Sequence, residues 1–206
     1  MAETAFFEKA VRFAKEFGII ICQDAAYCEL AFDGFKPVSV FQAAGAKDVA
    51  VEFHSLSKTY NMTGWRIGFA AGNAEVISAL GAIKTNVDSG VFRAVQRAGM
   101  AALAMPSEAV AQNAAVYQGR RDVLVEGLIS LGWRVPKPKA TFYVWTPVPK
   151  GYTSSELTAK LLEKAGIVTT PGIGFGRQGE GYIRFALTVG KERLSEAVER
   201  IANIKL

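Results

Sequence analysis

Histidine occurs once in 206 residues, at position 54, and cysteine twice, at positions 22 and 28. A single imidazole leaves almost no room for a histidine-built zinc site or a Ser-His-Asp triad, so His54 reads more simply as a local hydrogen-bonding residue. The two thiols lie in one apolar stretch, and the default for such a pair is buried free cysteines in a reducing compartment. No apolar run reaches the ~20 residues that span a bilayer. The opening stretch, MAETAFFEKAVRFAKEFG, mixes Glu and Lys through its apolar positions and reads as neither a signal peptide nor a membrane span. An excess of one charge is lacking as well: 24 Lys and Arg stand against 19 Asp and Glu, a formal +5. The basic residues are scattered and not interleaved with aromatics, which argues against nucleic acid. What is there is ordinary globular composition, 50% hydrophobic and 21% charged, in a chain long enough for a sizeable core and one or two domains. The expectation is a cytoplasmic protein without a membrane or nucleic-acid partner.

Phe6, Ala10, Phe13, Ala14 and Phe17 recur at helical spacing, and Gly18 ends the pattern. GIIICQD reads as a fully buried strand that stops at Asp24. KDVAVEFH predicts a second strand running into the hydroxyls at Ser55, and TGWRIGFAAGN a third, opened by Gly64 and closed by Gly72 and Asn73. Helical patterns fill residues 74 to 84 and 88 to 104. A longer one, roughly 107 to 131, begins after Pro106 with Ser107 as cap and stops at Gly132. The composition then turns proline-broken and β-rich in WRVPKPKATFYVWTPVPKG. A helix over 155 to 165 capped by Ser154 or Ser155, strands at GIVTTPG and EGYIRFALT, and a last helix from about 190 to 203 follow. The fold class is therefore α/β, an α/β layer over residues 1–118 joined by the long helix to a smaller α+β domain over 119–206. Gly174 to Gly179 fits the G-x-G-x-x-G pattern, but it follows Pro171-Gly172 and runs straight into a strand. It predicts a loop and not a dinucleotide site.

Ligands of open α/β sheets collect at the carboxyl ends of strands. Two such ends carry polar groups here: Asp24, with Tyr27 three residues on, and Ser55 to Lys58. A carboxylate closing an apolar strand is expected to be partly buried and to need a partner. Lys58 could fill that need as a structural ion pair, or both could face a cofactor with a cationic nitrogen and an aldehyde. The run Ser-Leu-Ser-Lys-Thr-Tyr-Asn-Met-Thr-Gly-Trp-Arg-Ile-Gly, 55 to 68, resembles the lysine motif of the class I/II aminotransferases, fold-type I enzymes that use pyridoxal 5'-phosphate (PLP). Asp24-x-x-Tyr27, Lys84-Thr-Asn-Val-Asp-Ser-Gly90 and Gly181-Tyr-Ile-Arg-Phe-Ala-Leu187 extend the likeness along the chain. Within that family the closest resemblance is to the LL-diaminopimelate aminotransferases.

The resemblance implies an aspartate aminotransferase-like fold, with part of the large PLP-binding domain over 1–118 and the C-terminal small α+β domain over 119–206. It implies PLP-dependent transfer of an amino group between an amino acid and a 2-oxo acid. A large-domain sheet short of its first strands would have an open edge, so a homo-oligomer is expected, with its contact over the strands of residues 18 to 72. By the same resemblance Lys58 bonds the cofactor aldehyde and then moves the substrate proton, Asp24 holds the ring nitrogen protonated, and Tyr27 donates to the ring's phenolic oxygen. Ser55, Ser57 and Arg66 hold the phosphate, and Arg184 takes the substrate α-carboxylate. The family's glycine-rich phosphate loop, ring-stacking aromatic and asparagine have no counterpart here, so the sequence resembles the C-terminal half of such an enzyme, with PLP affinity and activity reduced accordingly. Ala25 also stands where many relatives carry Glu. Two other readings use the same residues. Ser55-x-x-Lys58, with Tyr60 nearby, is the pattern of Ser-Lys esterases and penicillin-binding proteins, although those place it on a helix and not after a strand. A non-catalytic fragment that only folds or associates is the third.

Overall fold

The computed structural model describes residues 2–204. Helix α1 (Thr4–Phe17) turns Phe7, Val11 and Ala14 inward against Val40, Ala43, Ala46 and Ala50. These follow one another at helical spacing just as the phenylalanine stripe does, so the helix carries two apolar stripes and only one meets the layer beneath. The phenylalanine stripe is the outer one: Phe6, Phe13 and Phe17 are 59%, 55% and 58% exposed. Gly18 ends the helix in the left-handed conformation, φ 64°, with its N–H on the carbonyl of Ala14.

Strand β1 (Ile21–Asp24) lies parallel to β2 (Ala50–Ser55), which pairs antiparallel with β3 (Gly68–Gly72), giving the order β1-β2-β3. β1 is not the fully buried strand its run of isoleucines predicts. Among the described residues it pairs with β2 alone, and Ile19, Ile20, Cys22 and Asp24 are exposed. Cys22 is thus an exposed free thiol and Cys28 a half-buried one, because an edge strand buries at most one side and one face. β3 starts at Gly68, later than predicted, because Thr63–Trp65 form a 3-10 turn and Arg66 takes a left-handed conformation. Gly68 is required where it stands: a Cβ there would lie 2.5 Å from the carbonyl oxygen of His54 on β2. Between β2 and β3 comes a single helical turn, α2 (Leu56–Thr59), anchored by Leu56 packed with Met62 and Ala102.

Helices α3 (Ala74–Val87), α4 (Arg93–Leu103) and α5 (Ser107–Ser130) follow. The break before α4 falls at Asp88, whose carboxylate accepts from the Gly90 N–H at 2.9 Å. The contacts divide the chain into two compact units between Ala114 and Ala115, inside α5. The second unit holds β4 (Tyr143–Pro147), α6 (Ser154–Ala165), β5 (Thr170–Pro171), β6 (Tyr182–Ala186) and α7 (Lys191–Ala202), its strands antiparallel in the order β4-β6-β5. Leu124, Leu128, Val144, Leu157, Leu161, Ile183 and Leu187 form its buried core. The cap of α6 is Thr153, neither Ser154 nor Ser155. Its hydroxyl accepts from Glu156 N, and the Glu156 carboxylate accepts from Thr153 N at 2.8 Å. Ser154 is buried and bonds Glu180 instead. The glycine pattern at 174 to 179 lies in two 3-10 turns, Gly172–Phe175 and Arg177–Gly179, that lead into β6. Among the described residues no helix is long and apolar enough to cross a membrane.

Candidate active site

Parallel pairing of β1 and β2 brings their carboxyl ends to one edge, with Asp24 registered against Phe53 and Ala25 N bonded to the Phe53 carbonyl at 2.9 Å. Asp24 is exposed, contrary to the partial burial expected of it, and its Oδ1 accepts from Ala26 N at 3.3 Å, its one side-chain hydrogen bond among the described residues. A strand end at the sheet's edge leaves such a carboxylate in water. Ser55 closes β2, and its Oγ accepts from Ser57 N at 3.2 Å, which starts α2. Leu56 and Ser57 point inward from that turn, and Lys58 remains half-buried beside them. The Lys58 Nζ lies 5.6 Å from the centroid of the Tyr27 ring. Among the described residues it makes no hydrogen bond or ion pair, so the structural Asp24–Lys58 pair is not formed. The exposed Arg66 donates from Nη1 to the Thr63 carbonyl at 2.8 Å and to Ser57 Oγ at 3.4 Å. Asp24, Tyr27, Ser55, Ser57, Lys58 and Arg66 therefore share one edge of one sheet.

The Ser-Lys arrangement does not assemble. Ser55 Oγ is the cap of α2 and is not hydrogen-bonded to Lys58 Nζ among the described residues, while Tyr60 closes the same turn through its N–H on the Leu56 carbonyl. Arg184 belongs to the second unit, on the outward face of β6 opposite Trp145 of β4.

Two further groups surround the lysine turn. Asn113 on α5 donates through Nδ2 to the carbonyls of Lys58, at 2.8 Å, and Thr59, at 3.1 Å. No local pattern announces a bond between residues 55 positions apart. On the other face of β2 Glu52 is 3% exposed, and its carboxylate accepts from Ser39 Oγ at 2.6 Å and Val40 N at 2.8 Å. Its second oxygen lies 2.9 Å from His54 Nε2, and Cys28 Sγ lies 3.7 Å from His54 Nδ1. Burial first, and then the nearby Glu29 and Glu52 carboxylates, push the Cys28 thiol up to about 11. Glu52, His54, Cys28 and Gln23 line a cavity of about 680 Å³ that Ser55 and Tyr60 also border. Asp24, Tyr27, Lys58 and Arg66 are not part of its wall. The period-2 alternation of β2 turns Glu52 and His54 to one face, while Ser55, where the strand gives way to α2, borders both the cavity and the lysine turn.

The profile of the family "Aminotransferase class I and II" matches residues 1–201. The chain belongs to the class I and II aminotransferases. It is 56% identical to LL-diaminopimelate aminotransferase of Moorella thermoacetica, an alignment that takes in 99% of this chain and 52% of that protein. The second such enzyme of a Nostoc species is 57% identical over 98% of the chain and 52% of its own length. Substrate-bound BacF of Bacillus subtilis superposes with a TM-score of 0.95 at 40% identity, covering all of this chain and 53% of BacF. The probable N-succinyldiaminopimelate aminotransferase of Thermus thermophilus gives 0.91 at 36% identity, over 98% of this chain and 54% of that one. The chain thus spans about half the length of the relatives it matches. Class I and II aminotransferases are PLP-dependent transferases of amino groups.

Proposed function

We propose that this aminotransferase chain binds PLP at the edge formed by β1 and β2 and serves amino-group transfer between an amino acid and a 2-oxo acid. The observation that carries this reading is Lys58: an amine without a hydrogen-bond or ion-pair partner among the described residues, over the Tyr27 ring, at the same sheet edge as Asp24. The donor set fits the cofactor's chemistry. Ser55 Oγ and Ser57 Oγ already accept from Ser57 N and Arg66 Nη1, which leaves both hydroxyl hydrogens to donate to an anion, and Arg66 adds its guanidinium.

Bound PLP would supply an electron-withdrawing ring that stabilises negative charge at the substrate α-carbon. Every other part belongs to the protein. Lys58 Nζ would accept the α-proton as general base and return it as general acid. Asp24 would hold a proton on the ring nitrogen, and Tyr27 would donate its hydroxyl to the ring's phenolic oxygen. Ser55, Ser57 and Arg66 would hold the phosphate, and Arg184, in the second unit, would take a substrate carboxylate. The likeness to enzymes named LL-diaminopimelate aminotransferase supports a diamino dicarboxylic acid as amino donor. Two free thiols, one of them exposed, support a reducing compartment such as the cytoplasm. Self-association is part of the reading, supported by the apolar residues exposed along α1 and ahead of β1.

Borohydride reduction after addition of PLP, followed by peptide mapping, tests the reading. The peptide containing Lys58 should carry the label. Label spread over the other lysines in proportion to their exposure would remove the cofactor assignment.

A further inference from the structure

Alternation along β6 sends Ile183 and Phe185 into the core of the second unit and turns Tyr182, Arg184 and Ala186 to the opposite face. On β4 the buried Val144 leaves Tyr143 and Trp145 on that same outward face, with Trp145 registered against Arg184. The guanidinium carbon of Arg184 lies 4.1 Å from the Tyr143 ring centroid and 4.5 Å from that of Phe175. Phe175, from the 3-10 turn ahead of β6, meets Trp145 edge-on with centroids 5.5 Å apart, and Trp145 stacks on Tyr182 at 5.4 Å. Among the described residues no acceptor of the chain takes a hydrogen bond from Arg184, and no carboxylate pairs with it. A strand arginine that served only solubility has no use for two rings, and a structural ion pair would have an acceptor.

We propose that Tyr143 and Phe175 are positioning residues: their rings fix the plane of the Arg184 guanidinium so that its N–H edge receives the coplanar oxygens of a substrate carboxylate. The inference rests on the proposed role of Arg184 and adds to it what orients that residue. A guanidinium presents its donors as a planar fork, and two-point binding of a carboxylate requires the two planes to coincide. A free arginine side chain loses rotamer entropy when it binds, whereas one already packed on aromatic rings has less to lose. Trp145 and Tyr182 act one step further out by holding Phe175 in place.

NMR of the intact chain provides the test, through rotation about the Arg184 Nε–Cζ bond and through titration with acetate at constant ionic strength. Rotation should be slow in the wild type. Phe175→Leu and Tyr143→Leu should each speed it and weaken acetate binding about two- to fivefold. Phe175→Tyr and Tyr143→Phe, which keep a ring, should restore wild-type values. Phe175 is 51% exposed, so leucine there opens no core cavity and a lost fold does not mimic the effect. Unchanged rotation and affinity in both leucine variants would overturn the proposal. Arg184→Lys keeps the charge and lacks the fork. If it binds acetate as the wild type does, the carboxylate anchor itself is wrong; if it loses acetate while both leucine variants keep it, the anchor stands and the aromatic positioning falls.

Discussion

Asn113→Ala removes two hydrogen bonds from the lysine turn and little else. The amide donates to the carbonyls of Lys58 and Thr59 at 2.8 and 3.1 Å, and these are among the carbonyls that a one-turn helix such as α2 leaves without an internal partner. A typical hydrogen bond contributes about 1 kcal/mol net, so the gross loss is about 2 kcal/mol. Water offsets part of it, because Lys58 and Thr59 are only half-buried. The net cost to the turn is therefore about 1 to 1.5 kcal/mol, close to a tenfold rise in its opening. Amide exchange at Tyr60 reads that opening directly, since its N–H closes the turn on the Leu56 carbonyl. Exchange there should accelerate about tenfold, while amides in the second unit keep their rates. Unchanged exchange at Tyr60 would show that Leu56, packed with Met62 and Ala102, holds the turn without Asn113.

Asp24→Asn should barely alter stability, within about 0.5 kcal/mol, because the exposed carboxylate accepts one bond that an amide oxygen also accepts. The same change should lower amino-transfer turnover by about 100-fold, and equal losses in urea stability and turnover would refute the assigned role. Alkylation with iodoacetamide at pH 8 should modify the exposed Cys22 and spare Cys28, whose thiol is held protonated up to about 11. The unfolded chain loses that proton first, so the contribution of the Cys28 site to stability is intact below the ordinary thiol pKa and fades as pH rises through the folded value. Equal labelling of both cysteines at pH 8 would refute this.

The two strand ends of the site were legible because two apolar runs each stop at polar residues, Asp24 and Ser55; their parallel pairing comes from the structure. Arg184 was legible as an outward residue because Ile183 and Phe185 flank it at strand spacing. Helix α1 was harder, since Phe7-Val11-Ala14 and Phe6-Phe13-Phe17 are both apolar stripes and local sequence does not say which one meets the sheet. The α6 cap offered three hydroxyls in a row, Thr153, Ser154 and Ser155. Glu156 decides for Thr153, because only from there does it fall at the third helical position. The exposure of Asp24 and the bonds of Asn113 were illegible for one reason. Both depend on what lies beside the residue in space, an uncovered strand edge in one case and α5 in the other.

If Asp24 serves PLP as proposed, its exposure also bears on how tightly this chain would hold the cofactor. A carboxylate keeps a proton on a ring nitrogen best where water is excluded, because charge–charge attraction is several times stronger at low effective dielectric. Here Asp24 and Arg66 are exposed, and Ile19 and Ile20, which lead into the same edge strand at its other end, are 45% and 41% exposed. Among the described residues β1 has strand pairing on one side only, and an open edge flanked by apolar side chains favours pairing with another chain. A second copy seated there would cover the apolar residues and dry the carboxylate together. Binding of PLP and self-association are then linked, and linkage is reciprocal. The half-saturating PLP concentration should fall as protein concentration rises through the association range, and saturating PLP should shift light scattering toward the larger species. A PLP affinity that stays constant while scattering reports both monomer and oligomer would separate the two events and place the self-association surface away from β1. A monomer at every concentration would show that this edge stays solvated, with PLP held by Lys58, the serines and Arg66 alone.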